Sequence, residues 1–227
     1  MPRKLLELAQ IESPFVWRTK YALAHKGLPY ETERVAFVDI PKTCEGRHET
    51  VPVLIDEDGT EVCDSAGIAA YLDDTYPETP ALFSGTDYDR AKQIDDIINQ
   101  YAFPAFFPLY IGDVLNGLDA ENAAYFRSTR EARFGTSIEQ LCANRDAVLP
   151  EARTAIDPLR AEVAKADWLH GDGPGYGDYI TLAFFAWIKA AASTPPLAAG
   201  DPLLEYIERG FALHGGIGEN LPGGALA

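Results

Sequence analysis

The segment VPVLIDEDGTEVCDS, residues 51–65, constrains the fold of this chain more than any other stretch. An apolar run at 53–55 ends in an acidic turn with a glycine, and a second extended piece at 60–63 returns before a helical pattern opens at Asp64 and Ser65. Two short extended pieces joined by a tight turn are typical of a β-hairpin. Ser65 is a residue type that caps helices, and free amides at a helix start attract anions. The segment therefore predicts a hairpin that leads into a helix whose N-terminus can bind an anion.

The residues before this segment predict a strand, a helix and a second strand. The apolar run 5–9 and the stretch 30–38, which is rich in β-forming residues, are the two strands. Residues 13–29 between them begin with Ser-Pro and end with Gly and Pro, which are residues that typically start and stop a helix. The apolar spacing of this helix predicts that Arg18, Lys20 and Lys26 face away from the core. A helix or loop fits residues 40–50, so the order is βαβ-ββα.

From Tyr88 onward the patterns are nearly all helical, which predicts a second, helical domain with its own core. The first long helix is expected to be interrupted or kinked at Pro104 and Pro108. The glycine-rich end from 215 is expected to be a loose tail. The predicted helices are 91–101, 121–141, 151–166, 177–192 and 203–213. The predicted domains are 1–83, a linker with the start of a helix at 84–93, and 94–227.

Charge and composition narrow the possible partners. The 227 residues carry a formal charge of −16, which argues against nucleic acid or an anionic membrane surface as a partner. Residues 1–50 carry a balance of +1, so the N-terminal part is the one hospitable to an anion. Three cysteines and four histidines lack disulfide or metal-ligand spacing, so no metal is expected. No signal peptide or membrane-spanning run is visible, and we expect a soluble, cytoplasmic protein.

The Val51-Pro52 and Asp64-Ser65 pairs, with the hairpin between them, resemble the centre of the glutathione-binding half of the cytosolic glutathione transferases. The resemblance implies a glutathione transferase fold, with a thioredoxin-like α/β domain followed by an all-α domain. It also implies a cis bond before Pro52, main-chain contacts from Val51 to glutathione, and capture of the γ-glutamyl end by Asp64 and Ser65. Lys42 is expected to meet the glycyl carboxylate, with Arg47 or His48 as alternatives, although a solvated surface lysine fits the sequence equally well. A homodimer is also implied.

Under this resemblance the reactive group lies at the junction of the first strand and first helix, which is Ser13. A thiol with a pKa of about 8.5 is mostly protonated near neutral pH, whereas transfer chemistry needs the thiolate. A hydroxyl hydrogen bond to sulfur and the amides of a helix start both favour the anion. Ser13 followed by Pro14 is therefore predicted to stabilise a glutathione thiolate; an ordinary helix cap is the alternative.

The first helix and residues 193–197 and 201–218 are similar to one branch of that family, the bacterial glutathione-dependent β-etherases and related fungal etherase-type transferases. Those enzymes cleave lignin-derived β-aryl ethers, and the resemblance implies a small aromatic second substrate. An aromatic surface in the helical domain could hold flat rings, although each of these residues could instead be core. The predicted second-substrate residues are Phe15, Tyr101, Phe103, Phe107, Tyr110 and Trp187.

Two other functions remain compatible with the sequence. One is a non-catalytic protein on the same fold that holds aromatic ligands in a helical cleft. The other is a glutathione-dependent thiol-disulfide reductase, which Ser13 argues against because the redox-type relatives carry Cys there. A reductase activity that depends on Cys63 would revive this alternative.

Overall fold

The computed structural model describes residues 1–83 and 87–227. Its N-terminal part is a four-stranded sheet in the order β2-β1-β3-β4, with β1 parallel to β2 and β3 antiparallel to β1 and β4. A stretch of 3-10 helix, Phe37–Gly46, joins the two halves of this domain. The elements are β1 (Lys4–Leu8), α1 (Pro14–His25), β2 (Glu31–Val35), β3 (Val53–Ile55), β4 (Glu61–Cys63) and α2 (Ser65–Thr75). The predicted βαβ-ββα order is confirmed.

Strand β1 places apolar residues on both faces of the sheet, and both faces are buried. Leu6 lies opposite Val53, and Leu5 lies opposite Leu54. Successive side chains of a strand point to opposite faces, yet Leu5 and Leu6 are both buried. Both faces of β1 are therefore covered, and the end of this central strand, which leads to Ser13, is held in a fixed position.

The remaining described residues form the helical domain. Helix α9 lies at its centre, because every residue from 176 to 188 is buried. The helices are α3 (Asp87–Ile97), α4 (Phe103–Asn116), α5 (Ala120–Phe134), α6 (Ile138–Cys142), α7 (Arg145–Ala155), α8 (Asp157–Val163), α9 (Tyr176–Ala191), α10 (Leu203–Phe211) and α11 (Leu213–Gly216). The predicted fold class is confirmed. Within the described residues, no helix combines the length and the apolar character needed to cross a bilayer.

Three helix predictions need correction. The first long helix is interrupted by a π turn at Ile98–Ala102, before Pro104, and then continues through Pro108. Pro104 has no N–H to donate to the preceding turn of a continuous helix. Because α4 begins after the π turn, Pro104 lies in the first turn of α4, where no such donor is needed. The predicted helix 121–141 is two helices, because Gly135 ends α5 in the left-handed conformation at φ 68°. The predicted helix 151–166 begins at Arg145 and is also divided, with Pro158 in the first turn of α8.

Residues 215–227 do not form the loose tail that was predicted. The Leu197 amide donates to the Leu226 carbonyl at 2.9 Å, and Lys189 Nζ donates to the Gly224 carbonyl at 3.1 Å. Leu221 is buried. The end of the chain is therefore packed onto the helical domain, because its few apolar residues find partners there.

The prediction that Arg18 and Lys26 face away from the core is also wrong. Both side chains are buried, and each forms an ion pair: Arg18 with Asp95 at 2.9 Å and Lys26 with Asp73 at 2.8 Å. Apolar periodicity cannot show such pairs, because the acidic partners lie far along the chain.

The predicted domain boundaries at 83 and 94 stay predictions. The first residues of the predicted linker, 84–86, lie outside the described residues. From Asp87 onward, the remainder of that segment belongs to α3.

Helix α1 of the first domain packs against α9 of the second through a cluster of rings. Tyr21 stacks on Tyr179 with ring centroids 5.2 Å apart. The Tyr179 hydroxyl lies 2.6 Å from His25 Nδ1 and 3.0 Å from His214 Nε2. Because the Ala81 carbonyl accepts from the other nitrogen of His25, Tyr179 donates to His25 and accepts from His214. One hydroxyl therefore joins α1, α9 and α11.

The start of α9 is fixed by the buried carboxylate of Asp178. This side chain accepts hydrogen bonds from the Leu169 amide at 2.8 Å, the Gly175 amide at 3.0 Å and the Tyr206 hydroxyl at 2.7 Å. Each donor would otherwise be buried and unpaired, which costs free energy. In a reciprocal cap, the N-cap side chain and the side chain three residues later each accept a hydrogen bond from the other residue's main-chain N–H. Gly175 has no side chain for the first of these bonds, and Asp178 makes the second.

We expect Asp178→Ala to lower the free energy of unfolding by about 3 kcal/mol, because it leaves buried donors without an acceptor. Urea denaturation measures the change. The control is Asp172→Ala, since Asp172 is exposed in the loop before α9. An equal, small effect of the two substitutions would contradict the role given to Asp178.

The two histidines of the interface predict a loss of stability in mild acid. Burial lowers the pKa of His25 and of His214 in the folded protein, so both are neutral there. Their contribution is fully present above the unfolded pKa of about 6.5 and is lost as pH falls through the folded pKa. The free energy of unfolding should fall more steeply below pH of about 6.5 in the parent than in the double variant His25→Gln, His214→Gln. Parallel pH curves of the two proteins would contradict this.

Candidate functional site

A cavity of about 780 Å³ lies between the N-terminal domain and the helical domain. Its first side is the start of α1 with the segment before β3, and its other sides are α4, α5 and α9. The predicted site residues that line it are Ser13, Phe15, Val51, Phe103, Phe107 and Trp187.

Ser13 lies at the N-terminus of α1 and lines this cavity. Its backbone is extended, and its Oγ accepts a hydrogen bond from the Val16 amide at 3.5 Å, so it is the N-cap of the helix. At that length the bond is weak. The hydroxyl hydrogen remains available as a donor, and Pro14 follows at the first helical position. The helix dipole and this hydroxyl together favour an anion at the cavity wall beside Ser13.

The carboxylate next to Ser13 is already engaged. Glu12 accepts a hydrogen bond from Trp17 Nε1 at 2.6 Å and lies 3.8 Å from Lys20 Nζ. These partners offset its charge, so its proximity does not cancel the preference of the α1 start for an anion.

The segment before β3 offers main-chain groups to a ligand. The peptide bond between Val51 and Pro52 is cis, as the resemblance implied. Val51 lines the cavity, whereas Pro52 is buried behind it. Within residues 1–83 and 87–227, the N–H and C=O of Val51 form no hydrogen bond. They are therefore available to pair with an extended peptide, in the manner of an added β-strand.

The start of α2 carries the predicted acid-serine pair in a different arrangement from the one expected. Asp64, and not Ser65, is the N-cap, and its Oδ2 accepts from the Gly67 amide at 3.4 Å. Asp64 has φ 72° and is exposed, whereas Ser65 is 1% exposed. Neither residue lines the large cavity, so the structure places this pair beside that cavity's lining and not in it.

A group of buried polar atoms lies behind Ser65. Within the described chain, two nitrogens of Arg18, Nε and Nη2, have no hydrogen-bond partner, while the Ser65 and Tyr176 hydroxyls lie beside each other. Burial raises the pKa of Tyr176, while the charge of Arg18 acts against that rise. Unpaired buried polar groups are costly, so the unpaired nitrogens of Arg18 are a cost that other interactions of the fold must offset.

Lys42 lies outside the lining of the cavity. Its ammonium group binds Asp39 at 2.7 Å, which raises its pKa, and its side chain is largely exposed outside the cavity lining. The nearby Arg47 is held by Glu61 at 2.6 Å and Glu45 at 2.7 Å. The structure therefore gives Lys42 no contact with the cavity, because a local acid one turn earlier captures its charge.

One cluster of metal-ligating side chains occurs in the described residues. Ligand atoms of Cys44, His48 and Glu61 lie within 4.8 Å of one another. The Glu61 carboxylate already accepts from Arg47 and His48, which lower its pKa. A guanidinium on the same carboxylate disfavours a cation, so this cluster gives no support to a metal centre, and the expected absence of a metal stays a prediction.

The aromatic residues predicted for a second substrate divide into two groups. Phe15 stacks on Phe103 at 5.9 Å, and Phe107 stacks on Trp187 at 5.6 Å, so four of the six rings form one wall of the cavity. Tyr101 and Tyr110 do not line it.

Physical reasons account for the two exceptions. The π turn rotates Tyr101 to an exposed position. Tyr110 is fully buried one turn beyond Phe107, where α6 and α7 cover α4, and its hydroxyl donates to the Thr194 carbonyl at 3.0 Å.

Helix α5 contributes a wall of the cavity that was not predicted from the sequence. Phe126, Arg130, Arg133 and Phe134 all line the cavity. Their spacing of four, seven and eight residues is that of one helical face, so the pattern was available to be read. Phe37, from the 3-10 stretch, closes this wall and lies edge-on to Phe126 with centroids 5.6 Å apart.

A thioredoxin-like domain, a following helical domain and a cavity that opens at the start of α1 define the architecture of the glutathione transferases. A model of the glutathione S-transferase N-terminal domain matches residues 12–75, and one of the C-terminal domain matches residues 91–195. The chain belongs to the glutathione S-transferase family.

Relatives and solved structures agree with this assignment. A glutathione S-transferase-like protein of Aspergillus flavus is 26% identical, over 76% of this chain and 72% of that one. A glutathione transferase structure from Phanerochaete chrysosporium is 31% identical, with a TM-score of 0.65 over 97% of this chain and 95% of that one. A glutathione S-transferase of Ceriporiopsis subvermispora, crystallised with glutathione, has a TM-score of 0.81 at 22% identity and covers 94% of this chain and 96% of its own.

Proposed function

We propose that this chain joins reduced glutathione to an aromatic electrophile, and that Ser13 stabilises the attacking thiolate. One observation carries the proposal: the hydroxyl of Ser13, at a helix N-terminus, lies on the same cavity as the stacked rings Phe15, Phe103, Phe107 and Trp187. The cavity offers an anion-stabilising side and an aromatic side, which are the two needs of a thiolate attack on an arene-bearing substrate.

Glutathione, as the co-substrate, is proposed to lie along the N-terminal domain. The free main-chain groups of Val51 would pair with its cysteinyl portion, and the exposed start of α2 at Asp64 would receive its γ-glutamyl end, whose ammonium group complements that carboxylate. Ser65 would contribute through its position in the first turn, since its hydroxyl is covered. Lys42 is not included, because its charge is held by Asp39.

The proposed chemistry includes the cleavage of β-aryl ethers. The thiolate of glutathione attacks the carbon that bears the aryloxy group, next to a carbonyl. A C–S bond forms, the C–O bond breaks, and the aryloxide leaves with the electron pair. Since the thiol proton is lost on activation and the phenol gains one, the sum is glutathione plus ether giving thioether plus phenol. Ser13 holds the thiolate before attack, and the stacked rings orient the substrate's arene.

Assembly as a homodimer belongs to the same proposal, through the resemblance to dimeric transferases. Light scattering of the purified chain measures its molar mass in solution. A mass near twice 24.8 kDa is expected.

We expect Ser13→Ala to raise the thiol pKa of bound glutathione and to lower turnover by roughly ten- to a hundredfold near neutral pH, since a hydrogen bond to a charged group contributes about 1.5–3 kcal/mol. Absorbance of the thiolate, titrated with pH, gives the pKa directly. The matched control is Ser13→Thr, which keeps the hydroxyl. Unchanged thiol pKa and turnover in Ser13→Ala would assign Ser13 to helix capping alone.

The ether reaction is tested by incubating the protein with reduced glutathione and a β-aryl ether ketone. Mass analysis should show the free phenol and the glutathione thioether in equal amounts. If glutathione binds but neither product forms, ether cleavage is excluded and other aromatic electrophiles become the test substrates. Tight aromatic binding without any glutathione consumption would instead indicate a carrier, and disulfide reduction dependent on Cys63 a reductase.

A further inference from the structure

Among the described residues, two arginines on the cavity wall lack the acidic partners that most other basic residues have. The chain has 19 Lys and Arg side chains and 35 Asp and Glu. In the described parts of the chain, all but four of these cations form an ion pair with a carboxylate. Of these four, Arg153 and Lys189 donate to main-chain carbonyls. Arg130 and Arg133 are the other two, and both line the cavity.

Arg130 is held against rings and not against an acid. Its guanidinium carbon lies 4.5 Å from the ring centre of Phe126 and 5.4 Å from that of Phe37. It donates one hydrogen bond, to the Thr129 hydroxyl at 2.8 Å. The side chain is half-buried, and burial lowers its pKa, with the charge of Arg133 acting in the same direction. A partly desolvated cation without an anion is costly, and an anionic ligand would offset that cost.

The position of the two arginines relative to the other parts of the cavity is informative. They lie on α5, whereas Ser13 lies at the start of α1 in the other domain. Carboxylates on the cavity wall come from Glu12, which Trp17 and Lys20 engage, and from the exposed Glu49. In a protein of charge −16, one cavity thus carries two uncompensated guanidinium groups next to an aromatic wall. Guanidinium groups match carboxylates in shape and charge.

We propose that Arg130 and Arg133 bind a carboxylate on the aromatic second substrate, so that the preferred electrophile is the anion of an aromatic acid and not a neutral arene. The ring lies against Phe103, Phe107 and Trp187, the carboxylate meets the arginines, and the electrophilic carbon faces the glutathione sulfur. This rests on the proposed function and names the substrate class of the same site. Arg130 and Arg133 are specificity residues, since they touch substrate away from the reacting atoms.

The kinetic test compares chlorodinitrobenzene with its carboxylated counterpart, chlorodinitrobenzoate. In the double variant Arg130→Met, Arg133→Met, kcat/KM for the carboxylated substrate should fall about ten- to a hundredfold, the size expected for charged hydrogen bonds, while that for the neutral one changes less than about threefold. Arg130→Lys, which keeps a positive charge, should lose less activity on the carboxylated substrate than Arg130→Met. The control is Arg127→Met, on the same helix, because Arg127 is paired with Glu131 and Glu139 outside the cavity lining.

The main rival interpretation is that the two arginines bind a carboxylate of glutathione, and the difference in effect between the two electrophiles tests it. If the variants raise KM for glutathione and slow both electrophiles equally, the arginines hold a carboxylate of glutathione, and the proposal is overturned. The single variant Arg133→Met guards against misfolding, since Arg133 is exposed. Thermal melts confirm that each protein is folded.

A binding measurement separates failure of this inference from failure of the proposed function. Titration calorimetry without glutathione compares naphthoate with naphthalenemethanol, which differ in charge. The parent should bind naphthoate about tenfold more tightly, as expected for one charged contact, and the double variant should lose this difference. Equal affinities in the parent, or a preference that survives the double substitution, would overturn the inference. Absence of turnover on any electrophile, with the naphthoate preference intact, would reject only the proposed function.

Discussion

The site depends on the packing of α1 against α9. The stacked pair Tyr21 and Tyr179 and the hydroxyl of Tyr179 between two histidines join the two domains at this contact. The start of α1 carries Ser13, and α9 carries Trp187, so the same helix pair positions Ser13 and part of the aromatic wall of the cavity. A cavity whose walls come from two domains keeps its shape only if their relative position is fixed.

Buried polar groups also hold the two helices of this contact, α1 and α9, in place. Asp178 fixes the start of α9 by accepting from three donors, and the Arg18–Asp95 pair ties α1 to α3. Arg18 is the buried member of this pair, and an arrangement without Asp95 would leave its charge unpaired, so the pair favours one packing of α1 on α3. The positions of Ser13 and the aromatic wall are thus set by interactions that lie outside the cavity itself.

The sequence predicted the first domain well because its signals are local. The hairpin at 53–63, the Ser-Pro start of α1 and the order of strands depend on residues close in sequence, and they agree with the structure. Ser13, Phe15 and Val51 lie on one cavity as a consequence.

The failures involve distant partners. Arg18 is buried because Asp95 lies opposite it. Tyr110 is core because α6 and α7 cover it, which no local pattern reveals. The α5 wall had a readable spacing, but an Arg on a helix face is usually solvated, and only the cavity shows that Arg130 and Arg133 face a ligand space.

A crystal structure with an S-benzyl conjugate of glutathione tests the central claim directly, because this ligand joins the peptide to an aromatic ring through the reacting sulfur. The sulfur should lie within hydrogen-bond distance of the Ser13 hydroxyl, with the cysteinyl main chain on Val51 and the ring against Phe103, Phe107 or Trp187. A conjugate bound with its sulfur away from Ser13, or with its ring outside this cavity, would contradict the assignment of the two sides.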